Sequence, residues 1–160
     1  MSGIPYKLDG LGKMGADGTA RQEERRKIVS MYASEAITKG QAVAFNFHDT
    51  EPEHGYGNHV FVADTDDTGA TGANMNAIGV AIEAAASGDI VQVQVGGVCE
   101  TVLLVNASAA PGQILGQAAT DGKLQVVAAD TTLAVAIHIK DGSGDSTADG
   151  IVYLLNPANL

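Results

Sequence analysis

The stretch at residues 78–98, IGVAIEAAASGDIVQVQVGGV, limits what this chain can fold into more than any other. Within it, residues 90–95 alternate valine with isoleucine or glutamine, a pattern typical of a strand with one buried face. Residues 79–82 predict a shorter strand, and the turn at residues 87–89 joins the two. The glycine pair that follows is predicted to end the alternating strand. The stretch holds no nucleophile, general base or metal-ligand set, so it predicts a structural or binding protein and not an enzyme.

Short strands separated by Gly, Asp and Pro turns continue along the rest of the chain. The predicted strands span residues 28–33, 41–47, 59–64, 79–82, 90–95, 98–105, 113–118, 124–128, 133–139 and 151–155. Residues 21–27 offer the only helical candidate, and it is short. About ten short strands with regular turn signals favour an all-β fold, either a β-sandwich or a partly open β-barrel.

One local pattern occurs three times: a turn glycine, then Gln or Asp, then an apolar pair that begins a strand. The glycines are Gly40, Gly88 and Gly112, at spacings of 48 and 24 residues. We interpret them as equivalent strand starts within one barrel and not as a stacking repeat. At residues 120–123, an Asp-Gly pair predicts a hairpin turn, because this pair tolerates the positive φ angles of such turns.

Charge divides the chain into two parts. Residues 1–39 hold seven basic and five acidic residues, a net of +2, whereas residues 40–160 hold two basic and fourteen acidic residues, a net of −12. Residues 40–160, with this net negative charge, repel nucleic acid and anionic membranes, and we expect neither as a partner. Glycines and scattered apolar residues in residues 1–27 predict an extended arm that orders on a partner. Residues 28–160 are predicted to form the β-rich body.

The lone cysteine, Cys99, excludes an intrachain disulfide. It lies in an apolar run, so we expect a buried, unreactive thiol. His138 lies inside a predicted strand and is expected to be structural. The N-terminus lacks the features of a secretory signal, and no apolar run approaches the ~20 residues of a membrane helix. We therefore expect synthesis and folding in a cytoplasm.

Three histidines, His48, His54 and His59, lie among acidic residues and are chemically competent to bind a metal ion. Their irregular spacing in a loop without cysteine favours solvated side chains over a metal site. Residues 64–69 and 141–149 are rich in Asp, but the first lacks the bidentate Glu and the flanking helices of a calcium loop. We expect no metal and no cofactor.

Residues 79–93 resemble the central segment of small capsid decoration (cement) proteins of tailed bacteriophages. In that family a GVA strand leads through an Ala-rich acidic connection and a Gly-acid turn into a Val-rich strand. A further glycine turn and valine follow, matched here by Gly97 and Val98. Residues 37–43 are similar to the early I-x-K-G-x-x-V segment of the family. The resemblance covers roughly residues 28–155 and includes neither the arm nor the loop at residues 48–58.

The resemblance implies a structural virion protein bound to the outer surface of an assembled icosahedral capsid, after synthesis in the host cytoplasm. It implies clamping of neighbouring major capsid protein subunits, a homo-oligomer that is most often a trimer, and no catalytic residues. We predict that the arm binds the capsid through apolar anchors and basic side chains. The predicted capsid-binding residues are Ile4, Tyr6, Leu8, Leu11, Met14, Arg21, Arg25, Arg26 and Lys27.

Two other functions stay open. One is a virion or surface β-module that binds a receptor or glycan; because Trp is absent, its aromatic platform would come from Tyr56 and Phe61. The other is a trimeric β-fold hydrolase of nucleotides, which needs a Gly-rich phosphate loop and a positioned Asp. Residues 10–15 match G-x-G-x-x-G, but the strand and helix that make this motif bind phosphate are not predicted there.

Overall fold

The computed structural model of the protein describes residues 26–46, 57–63, 77–105, 109–119, 122–127, 134–140 and 149–155. These residues form strands and no helix, which confirms the predicted all-β class. In chain order the strands are β1 (Lys27–Ala33), β2 (Ala42–Phe45), β3 (His59–Val62), β4 (Gly79–Ala81), β5 (Ile90–Leu103), β6 (Ile114–Gln117), β7 (Leu124–Val126), β8 (Ala134–Lys140) and β9 (Asp149–Leu154).

The first lobe is a closed barrel made by β1–β4 and the first half of β5, residues 90–96. Its strand order is β1-β3-β2-β4-β5, and β5 pairs with β1 to close the ring. Only β1 and β3 pair in parallel. Val91 and Val93 point into the barrel and are fully buried, whereas Ile90 is 53% exposed on the other side. The alternation predicted for residues 90–95 is therefore confirmed at these positions.

The second lobe consists of the second half of β5, residues 97–103, with β6–β9, in the order β5-β9-β8-β6-β7. A parallel bridge between Leu104 and Leu124 brings β7 back to the end of β5. There the N–H of Val105 donates to the carbonyl of Leu124 at 2.9 Å. Strand for strand, the second lobe has the cyclic order and the strand directions of the first.

The turns that precede β2 and β6 show the same duplication in detail. The N–H of Thr38 donates to Oε1 of Gln41 at 2.7 Å, and the N–H of Ala110 donates to Oε1 of Gln113 at 2.7 Å. The intervening glycines, Gly40 and Gly112, have φ angles of +90° and +87°. Our interpretation of the three starts as parts of one barrel holds for Gly40 and Gly88, which precede β2 and β5 of the first lobe. It was wrong for Gly112, whose turn occupies in the second lobe the place of the Gly40 turn in the first.

Strand β5 runs unbroken through both lobes, so the prediction that the glycine pair ends it was also wrong. Gly97 adopts a φ of +83°, which glycine allows without steric cost and which bends the strand. Gln94 stabilises the bend: its Nε2 donates to the carbonyls of Gly96 and Val98 at 3.1 and 2.9 Å. The amide satisfies buried carbonyl groups that a shorter side chain would leave unpaired.

The two lobes share a hydrophobic core. The residues that face outward from β2, β3 and β4 of the first lobe form one buried cluster with the interior of the second lobe. The first-lobe members on these strands are Ala42, Ala44, Phe61 and Val80, and the second-lobe members include Cys99, Val102, Leu115, Leu124, Ala136, Val152 and Leu154. The second lobe thus covers and buries the outward-facing residues of β2, β3 and β4.

Other local predictions are confirmed within the described residues. β6 and β7 form the predicted hairpin, and Gly122 in its turn has a φ of +68°; Thr120 and Asp121 lie outside the described residues. Cys99 is 1% exposed, and His138 is buried within β8. Burial raises the pKa of the Cys99 thiol above its ordinary value of 9.0, because desolvation disfavours the thiolate. In the described part of the chain, no helix is long and apolar enough to cross a membrane.

Candidate interaction surfaces

The predicted capsid-binding arm falls almost entirely outside the described residues. Seven of its nine predicted contact residues precede residue 26, namely Ile4, Tyr6, Leu8, Leu11, Met14, Arg21 and Arg25. Arg26 and Lys27 are described, and Lys27 is the first residue of β1. The predicted division between an arm at residues 1–27 and a body from residue 28 stays a prediction, because residues 1–25 lie outside the described residues.

Arg26 lies at the junction of the two lobes. Its guanidinium Nη2 is 3.3 Å from Oε2 of Glu100, which lies on β5 beyond the bend. Lys27 pairs with Gly96 at the start of the β1–β5 ladder. Both side chains of the ion pair are partly exposed, at 29% and 53%, so its contribution to stability is at most about 1 kcal/mol. The described part of the chain therefore begins beside this junction.

A mixed polar and apolar ribbon runs along the outer side of β1 and β5. Ser30 faces Gln92 across the ladder, and Nε2 of Gln92 donates to Oγ of Ser30 at 2.9 Å. Ile28 and Ile90 flank this polar pair and are 43% and 53% exposed. Tyr32, opposite Ile90, contacts the ring of His59 with centroids 5.5 Å apart. The ribbon offers apolar contacts on the strand that begins at Lys27, beside Arg26.

The second lobe carries a wider apolar surface, which we call the second-lobe face. Its residues lie side by side across five strands through the register of β5, β9, β8, β6 and the residue after β7. They are Val98, Tyr153, Ile137, Ile114 and Val127. Tyr153 is 41% exposed, and the other four are partly buried. None of the five carries a charge, in a protein with a net charge of −10.

At four of these five positions, the equivalent residues of the first lobe form what we call the first-lobe face: Ala42, Ala63, Val80 and Gln94. The counterpart of Val98 is Ile28, which is 43% exposed. The four residues of the first-lobe face occupy the positions of Ile114, Val127, Ile137 and Tyr153 in the duplicated barrel. All four are buried, with exposures of 0, 0, 0 and 2%. The second lobe therefore covers the first-lobe face, whereas no described residue covers the second-lobe face to the same extent.

Most of the residues considered for rival functions lie outside the described residues. His59 lies at the start of β3 and packs on Tyr32, while His48 and His54 fall outside the described residues. Within the part of the chain that the structure describes, no group of three or more His, Cys, Asp or Glu side chains is placed to hold a metal ion. Phe61 is only 9% exposed and belongs to the shared core, so it forms no aromatic platform. Tyr56, its predicted partner, also falls outside the described residues.

Sequence reasoning missed the duplication and the face that it defines. A signal was present: Gly40-Gln41 and Gly112-Gln113 lie 72 residues apart and begin the same kind of strand. Gln94 was predicted to lie on the solvent side of its strand, and it does lie on the side of β5 opposite Val91 and Val93. It is buried, however, as part of the first-lobe face that the second lobe covers.

Comparisons with known proteins give one informative likeness. No family model matches the sequence, and no curated protein matches it. Among solved structures, the crystal structure of the N base of the head fiber gp8.5 in bacteriophage phi29 aligns with a TM-score of 0.56 at 12% identity. The alignment covers 82% of this chain and 95% of that chain. Because this share is larger than either lobe, the likeness in fold extends over both lobes.

Proposed function

We propose that this protein is a structural component of a tailed-phage virion that binds the outer surface of the assembled capsid. In this role it stabilises the capsid by clamping neighbouring major capsid protein subunits, and it catalyses no reaction. The observation that supports the proposal most strongly is the likeness of both lobes to the base of a phage head fiber. The resemblance of residues 79–93 to decoration proteins points to the same place on a virion.

The position of the arm supports a clamping role. Arg26 and Lys27 lie at the junction of the two lobes, so an arm formed by residues 1–25 would be anchored at this junction. One lobe lies on each side of this anchor point, so an arm can reach from it across a boundary between capsid subunits. A segment that orders only on binding contacts a large surface, at the cost of the entropy lost on ordering.

Charge supports a division between arm and body. Residues 1–39 carry a net charge of +2, and residues 40–160 carry −12. An acidic capsid surface therefore attracts the arm and repels the body, which orients the protein as it approaches. Weak contacts suffice, because many copies bind a repeating lattice. The trimer implied by the resemblance to decoration proteins remains part of the proposal.

Co-sedimentation tests the proposal directly. Purified protein is mixed with DNA-filled heads from the phage that encodes it, prepared without this chain, and the heads are pelleted. We expect saturable binding at a fixed number of copies per head, and heads that rupture at a higher temperature. Protein that stays in the supernatant at every concentration would contradict the proposal.

A matched control separates capsid binding from recognition of a host surface. The same protein is incubated with intact host cells and with a glycan array. Binding to cells or glycans without binding to heads favours the receptor-binding alternative, whereas the capsid proposal predicts binding to heads alone.

A further inference from the structure

The duplicated fold indicates an additional interaction site on the second-lobe face, because the equivalent first-lobe face is buried against the barrel that follows it. We infer that this face binds the first lobe of a second copy of this chain, head to tail. The first lobe of the second copy contacts the second-lobe face in the same way as the second lobe contacts the first-lobe face within one chain. This inference is independent of capsid binding and concerns the protein in solution.

The contact inside the chain provides the first argument. Ala42 and Val80 of the first-lobe face are fully buried in one cluster with Val102 and Leu154, which line the second lobe. The first-lobe face is thus a surface that receives the interior of the following barrel. Because the second lobe repeats the same strand order, its own face presents the same backbone geometry for a following barrel. In repeat proteins each unit contacts only its neighbours in this way.

The opposite end of the molecule provides the second argument. The barrel that would follow must offer interior residues that are incompletely buried, and the first lobe has them. Met31 and Val95 of the first lobe are partly buried, whereas their counterparts Val102 and Leu154 are 0 and 1% exposed. The first lobe therefore lacks the cover that the second lobe receives from the chain itself. A second copy supplies it, and the two incomplete surfaces complete each other.

Composition and charge provide the third argument. The second-lobe face has Ile, Ile, Val and Tyr where the first-lobe face has Ala, Val, Ala and Gln. Larger apolar side chains at exposed positions are typical of surfaces that bind a partner, and tyrosine is enriched at such surfaces. A chain of net charge −10 repels its own copies except through a patch without acidic residues, and this face is one.

A head-to-tail contact uses two different surfaces, so it either closes into a ring or continues as a filament. A closed ring of three copies is the trimer that we propose on the capsid. The ring and the filament differ only in the rotation between successive copies.

Sedimentation equilibrium tests the contact with a matched pair of variants. We expect the wild-type protein to exceed the monomer mass of 16.3 kDa and to dissociate on dilution. Tyr153→Asp should weaken association at least tenfold. Ile90→Asp changes a residue of similar exposure that lies outside the second-lobe face, so association should stay within twofold of wild type. Circular dichroism confirms that each variant is folded.

Cross-linking tests the direction of the contact. Copies carrying Tyr153→Cys are mixed with copies carrying Met31→Cys and oxidised. Head-to-tail binding predicts disulfide dimers between the two variants and few dimers within either. Three outcomes would overturn the inference: a wild-type protein that is monomeric at every concentration, dimers formed by Tyr153→Cys copies with one another alone, or association that appears only after residues 1–25 are removed. The last would show that the arm of the same chain, and not a second copy, occupies the face.

Discussion

The carbonyl oxygen of Gly122 accepts a hydrogen bond from the backbone N–H of Ala42 at 2.6 Å, which fixes a turn of the second lobe on β2 of the first. The N–H of Gly122 donates in turn to the carbonyl of Ala63 at 3.1 Å. Gly122 has a φ of +68°, and a Cβ there would lie 2.8 Å from Cγ1 of Val62. Glycine is required at this position for both its conformation and its size, so backbone bonds as well as the shared core hold the lobes together.

Gly122→Ala should therefore destabilise the protein by about 2–4 kcal/mol, the sum of a left-handed backbone and an overpacked contact. Gly112→Ala is the matched control: its φ is +87°, but nothing lies within 4 Å of its Cβ position. It should cost only about 1–2 kcal/mol, from the backbone alone. Urea unfolding of both variants measures the difference, and equal losses would show that the Gly122 turn does not pack tightly on the first lobe.

The bend in β5 should depend on Gln94. Gln94→Ala removes two hydrogen bonds and leaves the carbonyls of Gly96 and Val98 without this donor, at an expected cost of about 2–3 kcal/mol. Gln92→Ala, two residues away on the same strand, removes a partly exposed contact with Ser30 and should cost less than about 1 kcal/mol. Chemical denaturation compares the two, and a larger loss for Gln92→Ala would contradict the role of Gln94.

Cys99 should make stability fall at high pH. The folded protein raises the pKa of this thiol above 9.0, so the folded state holds the proton that the unfolded state releases. The contribution of the protonated Cys99 thiol to the free energy of unfolding is complete below pH 9, and it is lost as the pH rises through the pKa of the folded protein. The free energy of unfolding of Cys99→Ala should depend less on pH between 9 and 11 (about the working range of thiol titration). In the wild-type protein, the thiol should resist alkylation until the protein unfolds. Rapid alkylation of folded protein at neutral pH would refute its burial.

The arm should act in capsid binding and not in folding. Removal of residues 1–25 leaves β1 and the Arg26–Glu100 pair intact, so the urea midpoint of the body should stay the same while binding to heads falls at least tenfold. Replacing Arg21 and Arg25 with Gln should weaken binding less, and should reduce its dependence on salt. Replacing Ile4, Leu8 and Leu11 with Ser should weaken binding without changing that dependence. Full occupancy by the truncated protein would exclude the arm from the capsid contact.

The sequence predicted the strands well, because each is short, rich in β-branched residues and bounded by turn residues. Val91 and Val93 are buried and Ile90 is exposed, as alternation requires. The Asp-Gly pair before β7 predicted the hairpin for the same local reason, since the turn depends on only a few adjacent residues.

Features that depend on the pairing of distant strands were missed. Gly97 was expected to end a strand, because a glycine pair usually interrupts a ladder, yet β9 continues the pairing beyond the bend. Gln94 has the parity of an exposed residue, yet it is 2% exposed, as part of the first-lobe face that the second lobe covers. The second-lobe face consists of Ile, Val and Tyr residues whose spacing along each strand looks like that of any core strand. Its significance comes from comparison with the buried first-lobe face, which requires the fold.

Electron cryomicroscopy of the intact head tests the central claim most directly. Maps of heads with and without this protein, from the phage that encodes it, are compared at a resolution that separates two adjoining barrels. We predict that the difference density contains both lobes on the outer surface, with further density from the lobe junction reaching neighbouring capsid subunits. Identical maps, or difference density confined to the tail or the head interior, would contradict the account.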